Sequence, residues 1–289
     1  MNLSGCYTAL VTPFKNGAVD YNTLTTLVEQ QIAGGVTGLV PVGTTGESPT
    51  LTSKEHMKVI EFVLKAAAGR CQIIAGTGAN STAEAIHLSV EAASMGVDAT
   101  LQVTPYYNKP SAEGLYRHFS VIAEKSNKPI VLYNVPGRTG KEIPLDVVKR
   151  LSANPLVVAV KEAAGSVERV SAIKNLCGDD IVVLSGDDSL ALPMVCVGAR
   201  GVVSVASNII PKQMSQMIAF ALKNDFAAAL KIHQQYYSLF KDLFVESNPI
   251  PIKAAMADLG MIAEEYRLPL CPMMPDTREK LRQTMKKIL

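Results

Sequence analysis

The chain has 289 residues, 48% of them hydrophobic, and its 28 basic and 26 acidic side chains nearly cancel to a formal net charge of +2. That size and apolar content suffice for one large buried core, while the balanced charge, with no basic run or aromatic–basic stripe, argues against a nucleic-acid partner. No apolar stretch of about 20 residues occurs, so no membrane span is expected, and MNLSGCYTALVTPF, with no basic start and an apolar run cut short at Pro13, does not read as a signal peptide.

Short β-rich runs alternate with helical patterns along the chain. The runs are CYTALV (6–11), GLVPVG (38–43), QIIAGTG (72–78), ATLQVT (99–104), PIVLYNV (129–135), VVAVKEA (157–163), IVVLSG (181–186) and GVVSVA (201–206). They are continuously apolar rather than alternating, as strands covered on both faces should be. Helical segments separate them. The first spans 20–34 with Asp20 as N-cap; the next is opened by Ser53, with His56 and Met57 in its first turn. A third follows Ser81 and ends at Gly96, and the series continues over 111–126, 144–153, 166–177 and 187–198. Eight strand–helix units predict an α/β fold, a parallel (β/α)₈ barrel; an open doubly wound sheet is the alternative. The remaining residues read as helices over 211–224, 225–245, 250–263 and 276–288. The expected organisation is therefore a barrel over 1–224 and an appended helical region over 225–289. The basic residues Lys280, Arg282, Lys286 and Lys287 read as the wet face of the last helix. The five cysteines (Cys6, Cys71, Cys177, Cys196, Cys271) are odd in number and lack CxxC spacing, which predicts unpaired packing thiols in a reducing cytoplasm.

In such barrels chemistry collects at the C-terminal ends of the strands. Here those ends read GTTGE (43–47), GTGAN (76–80), TPYYN (104–108), YNVPGR (133–138), KE (161–162) and SGDD (185–188). Lys161 stands inside an apolar β-branched run. An ammonium there loses hydration, and burial favours the neutral, nucleophilic amine. Alternatively, Lys161 snorkels to solvent at the strand's exit or pairs with Glu162. Tyr133 ends the preceding strand, which would bring its ring close to Lys161, where a phenol can relay protons. Thr44 and Thr45 lie in a glycine-flanked turn able to hold a carboxylate. The Arg138 guanidinium suits bidentate carboxylate binding, although a surface ion pair is the alternative. The four histidines lack metal-ligand spacing, and Asp187-Asp188 reads as a helix cap, so no metal site is expected.

GTTGE, YNVPGRTG (133–140) and KEA (161–163) resemble the pyruvate-dependent lyase superfamily of the dihydrodipicolinate synthases and N-acetylneuraminate lyases, and the likeness covers nearly the whole chain. TPYYNKPSAEGLYRHF (104–119), LSGDD (184–188) and NPIPIK (248–253) are similar to the dihydrodipicolinate synthases in particular. The resemblance implies that Lys161 forms an imine with pyruvate, that Tyr133 relays protons, and that Thr44 bridges Tyr133 to a Tyr107 contributed by a neighbouring subunit. It further implies that Thr45 holds the pyruvate carboxylate, that Gly186 and Val203 line the pocket with main-chain carbonyls, and that Arg138 binds L-aspartate semialdehyde. No cofactor beyond the covalent imine is implied. The implied assembly is a homo-oligomer, a tetramer built as a dimer of dimers.

Arg138 also separates the branches, since the neuraminate lyases resemble GSTGE and lack an arginine in the RTG context. Condensation of pyruvate with L-aspartate semialdehyde, the entry to diaminopimelate and lysine, is thus the expected activity; a sister lyase acting on a sugar-derived 2-keto acid is the alternative. A non-catalytic carboxylate sensor would not need an imine-forming amine, and a phosphate-binding isomerase would need a better phosphate loop than SGDDS or SVASN. Gly137 departs from the family, in which serine is frequent. Lysine-sensitive members bind lysine at positions that match Ser48, Pro49, His56, Asn80, Glu84 and Tyr106. His56 favours sensitivity, whereas Ser53 replaces a second histidine found in many sensitive members.

Overall fold

The computed structural model describes residues 3–289. Strands β1 (Gly5–Ala9), β2 (Gly38–Val40), β3 (Gln72–Gly76), β4 (Ala99–Val103), β5 (Ile130–Asn134), β6 (Val157–Glu162), β7 (Val182–Ser185) and β8 (Gly201–Ser204) form a closed barrel in sequential order. All neighbours are parallel, and β8 closes on β1 with Gly5 opposite Gly201 and Thr8 opposite Ser204. Helices α1 (Tyr21–Ala33), α2 (Ser53–Ala67), α3 (Thr82–Met95), α4 (Ala112–Ser126), α5 (Leu145–Ser152), α6 (Val167–Cys177), α7 (Asp188–Cys196) and α8 (Pro211–Leu222) form the outer layer. The (β/α)₈ expectation holds, and with it the reason for continuous apolar runs: each strand is buried on the lumen side and on the helix side.

Local chemistry sets the helix starts. Asp20, Ser81, Ser111, Ser166 and Asp187 each accept a hydrogen bond from a backbone N–H of the first turn. The N-cap of α2 is Thr52, one residue before Ser53, and it forms a reciprocal capping box with Glu55. Asp187 caps α7, as its sequence position suggests.

Three expectations change. The run at 38–43 stops as a strand at Val40, because Pro41 has no N–H for the ladder and Val42 turns into the left-handed region at φ 49°. A two-stranded antiparallel hairpin, Phe14–Lys15 with Ala18–Val19, lies outside the eight runs. Its Asn16-Gly17 turn, both residues at positive φ, is a strong hairpin signal that the barrel pattern overshadowed. All five cysteines are free, but Cys196 and Cys271 are exposed and Cys71 is half-buried, so only Cys6 and Cys177 are core residues.

Beyond the barrel run α9 (Phe226–Asp242), α10 (Ile250–Asp258) and α11 (Pro275–Ile288). Arg278 and Arg282 of α11 both pair with Asp258, and Lys280 pairs with Asp242, so the basic face of α11 partly grips α9 and α10. Residues 248–253, leading into α10, reach the strand ends of the barrel through contacts with Thr45 and Glu47.

Candidate active site

Lys161 and Tyr133 stand opposite each other in the β5–β6 register, and so do Asn134 and Glu162. Because successive side chains of a strand alternate faces, the two pairs point in opposite directions. Glu162 faces the helices. Its buried carboxylate accepts from Asn134 Nδ2 at 2.9 and 3.0 Å, from Arg169 Nε at 2.8 Å and from the Ala164 N–H at 2.8 Å. The alternative of a Lys161–Glu162 pair is thereby overturned: adjacency along a strand separates the two charges. Lys161 is 6% exposed, which also removes the snorkelling alternative. Its Nζ lies 4.0 Å from the centroid of the Tyr133 ring, and among the described residues it makes no hydrogen bond or ion pair. A lysine amine held in the barrel without a counter-charge is available to attack a carbonyl.

A cavity of about 400 Å³ opens beside this pair. Thr44, Tyr133 and Arg138 line it, and so do Ser48, Pro49, His56, Glu84 and Tyr106. Two sets of candidate residues thus share one hollow. Lys161, Thr45, Gly186, Val203, Asn80 and Tyr107 are not part of its wall. Gly186 instead packs behind the lysine, where a Cβ would come within 3.1 Å of Lys161 Cε and 2.7 Å of Ala163 Cβ; only glycine leaves that stem room. Val203 is buried in β8 opposite Tyr7. The Thr45 hydroxyl is buried and accepts from Asn248 Nδ2 at 3.0 Å.

Arg138 sits in a single helical turn, Pro136–Thr139, directly after β5. Its Nη2 donates to the Asn248 carbonyl at 2.9 Å, and among the described residues no carboxylate pairs with it, which removes the surface ion pair. The remaining guanidinium donors can take an anionic group in a bidentate fork. His56 is buried, with Nε2 2.7 Å from the Gly76 carbonyl; burial pulls it below the ordinary imidazole range, against the opposing pull of that carbonyl and of Glu84. Asn80 donates to the Tyr106 carbonyl at 3.3 Å, tying the loop after β3 to the loop after β4. Tyr107 is not brought to the cavity of its own chain. It is 91% exposed and stands at φ 68°, a conformation that a bulky residue keeps only under local constraint.

Sequence reading missed the polar residues behind this face. Asn248 touches both Thr45 and Arg138, and Lys253 forms a fully buried ion pair with Glu47. The motif NPIPIK contains both residues, but an apolar helix start gives no sign of what its polar members reach. Among the described residues, no cluster of three or more potential metal ligands occurs.

An uncompensated amine against a phenol, set at the C-terminal half of a parallel barrel, defines a lyase of the class I aldolase type. The chain belongs to the dihydrodipicolinate synthetase family, whose model matches residues 2–288. It is 49% identical over 284 residues to the 4-hydroxy-tetrahydrodipicolinate synthase of Aquifex aeolicus, covering 98% of this chain and 97% of that protein. The crystal structure of the chloride-inhibited dihydrodipicolinate synthase of Acinetobacter baumannii, complexed with pyruvate, superimposes with a TM-score of 0.98 at 45% identity and complete coverage of both chains. The dihydrodipicolinate synthase of Cyanidioschyzon merolae, crystallised with lysine bound, gives a TM-score of 0.95 at 42% identity, covering 99% of this chain and 98% of that one.

Proposed function

We propose that this chain condenses pyruvate with L-aspartate 4-semialdehyde to give 4-hydroxy-tetrahydrodipicolinate, the first committed step toward diaminopimelate and lysine. The observation that carries the reading is Lys161, buried against the Tyr133 ring without a counter-charge. The neutral amine adds to the pyruvate ketone, and loss of water gives the imine, with Tyr133 carrying protons to and from the reacting oxygen. Loss of a methyl proton turns the imine into an enamine, whose terminal carbon attacks the aldehyde. The substrate's own α-amine then displaces Lys161 from the imine carbon and closes the ring. Thr45 and the backbone of the 43–47 turn hold the pyruvate carboxylate, Gly186 and Val203 contribute main-chain carbonyls, and Arg138 holds the aldehyde substrate. The reaction needs no further cofactor, because the lysine amine supplies the electron sink once the imine forms. Residues 1–224, the first two of which lie outside the described residues, make up the barrel unit and 225–289 its appended helical region, with Asn248 extending that region to the site. A reducing cytoplasm suits the five free thiols.

Treatment with pyruvate and borohydride, followed by peptide mass analysis, tests the mechanism: the adduct is expected on Lys161, and an adduct on another lysine, or none, overturns it. Pyruvate consumption with aspartate semialdehyde against a sugar aldehyde separates this activity from that of a sister lyase.

A second reading concerns regulation by L-lysine, and the shared cavity favours it. Ser48, Pro49, His56, Glu84 and Tyr106 line the hollow that also holds Tyr133 and Arg138. Glu84, at the N-terminus of α3, meets the effector's ammonium, and a neutral His56 leaves that charge unopposed. The C. merolae relative, with lysine bound, supports this assignment. Activity is expected to fall at millimolar lysine, with His56→Lys relieving inhibition by like-charge repulsion. Full activity at tens of millimolar lysine, with no binding heat in calorimetry, would end this reading and leave the catalytic one intact.

A further inference from the structure

We infer that Glu47 and Lys253 are a positioning pair that sets Thr45 and Arg138 for the substrate carboxylates, an inference that rests on the function proposed above. Glu47 ends the GTTGE turn in the left-handed region at φ 55°, and its carboxylate is buried. A non-glycine residue keeps that conformation when its surroundings over-determine it. Those surroundings are specific. Lys253 is fully buried and ion-paired with Glu47 Oε1, while its Nζ lies 4.4 Å from the centroid of the Phe14 ring and 5.3 Å from that of Tyr266. The Arg267 N–H donates to Glu47 Oε2 at 3.3 Å. Arg267 in turn chelates Glu55 through both terminal nitrogens, at 2.8 and 2.6 Å.

Two segments are therefore clamped at two points. Thr45 and Glu47 lie on the first segment, Asn248 and Lys253 on the second. Thr45 meets Asn248 and Glu47 meets Lys253, and Arg138 hangs from the Asn248 carbonyl. One clamp alone would leave the segments free to pivot about it; two fix their separation and direction, and hence the place of the guanidinium. Stability alone accounts poorly for this arrangement, since a well-packed apolar pair commonly serves a core as well as a buried ion pair does. What the ion pair adds is direction: a carboxylate with two defined partners holds one orientation. Lys161 belongs to β6 and takes no part in the clamp.

The double variant Glu47→Gln/Lys253→Met tests this without stranding a lone buried charge. Circular dichroism and thermal midpoint should stay close to wild type, and borohydride trapping of pyruvate on Lys161 should persist. The KM for aspartate semialdehyde should rise about tenfold with a smaller change in kcat, because orientation rather than chemistry is lost. Glu47→Asp keeps both charges of the pair but shortens the carboxylate's reach toward Lys253 and should give a smaller rise, roughly threefold; it also decides the question should the double variant not fold. A folded variant with wild-type KM for both substrates, or one altered only in thermal midpoint, overturns the positioning role. Failure of the wild-type protein to trap pyruvate would overturn the imine reading itself.

Discussion

At Lys161 and Glu162, two neighbouring charged residues are sent to opposite sides of one strand, and their fates diverge accordingly. Glu162 is saturated with donors and serves the joint between barrel and helices, whereas Lys161 keeps its amine uncommitted. Truncating Lys161 to Ala removes a group whose burial opposes folding, so the variant should abolish imine trapping while keeping its thermal midpoint near wild type. Arg138 is a different case, because among the described residues its guanidinium hydrogen-bonds only the Asn248 carbonyl. Arg138→Ala should leave pyruvate trapping on Lys161 intact and raise the KM for aspartate semialdehyde. The loss of a bidentate charged contact corresponds to about 1.5–3 kcal/mol, or about ten- to a hundredfold in kcat/KM. If trapping fails instead, the two carboxylate sites are assigned the wrong way round. Its neighbour Gly137, where the sequence resemblance leads one to expect serine, leaves room for one: a Cβ there meets nothing within 4 Å, and the backbone is not left-handed. Gly137→Ser should therefore change stability by no more than about 0.5 kcal/mol and leave both KM values unaltered.

Helix α4 carries a pH-dependent element. His118 is buried on its inner face with Nδ1 2.9 Å from the Thr82 hydroxyl, and burial pulls its pKa from 6.5 down to about 4. Above pH 6.5 the ring is neutral in both folded and unfolded chains and contributes nothing to the pH dependence. Between 6.5 and 4 the unfolded chain takes up a proton that the folded chain refuses, so stability falls with pH through that window. At pH 5 the loss should be about 2 kcal/mol. His118→Gln should remove that component, which urea unfolding at pH 7 and pH 5 will measure; an unchanged difference between the two pH values would show that His118 titrates normally in the fold. Element boundaries follow equally local causes. Asp20, Ser81 and Ser111 mark helix starts through a side-chain acceptor, and Pro41 ends β2 by lacking a donor. The Asn16-Gly17 hairpin leaves no strand pattern in the sequence, because its two-residue strands are too short to alternate.

At the scale of the whole molecule, Tyr107 marks the assembly to be tested. A tyrosine 91% exposed and held at positive φ is poorly explained within one chain, and well explained if it enters a neighbour's site. Tyr107→Phe and Lys161→Ala proteins, mixed under conditions of subunit exchange, should recover partial activity, since one hybrid site then has both groups. No recovery, with exchange verified, would assign Tyr107 to its own chain. The barrel, its eight strands, most helix caps and the candidacy of Lys161, Tyr133 and Arg138 were legible in the sequence, because strand burial and capping are local patterns written in consecutive residues. The direction of each side chain was not. Register alone sends Lys161 inward and Glu162 outward, and closure of the barrel alone gathers the loops after β2, β3, β4 and β5 around one cavity. The polar clamp of Thr45 with Asn248 and Glu47 with Lys253 joins residues some 200 positions apart, at separations of 203 and 206. No periodicity encodes such a pairing; only a closed chain, which forces buried charges to find partners in the space that remains, decides it.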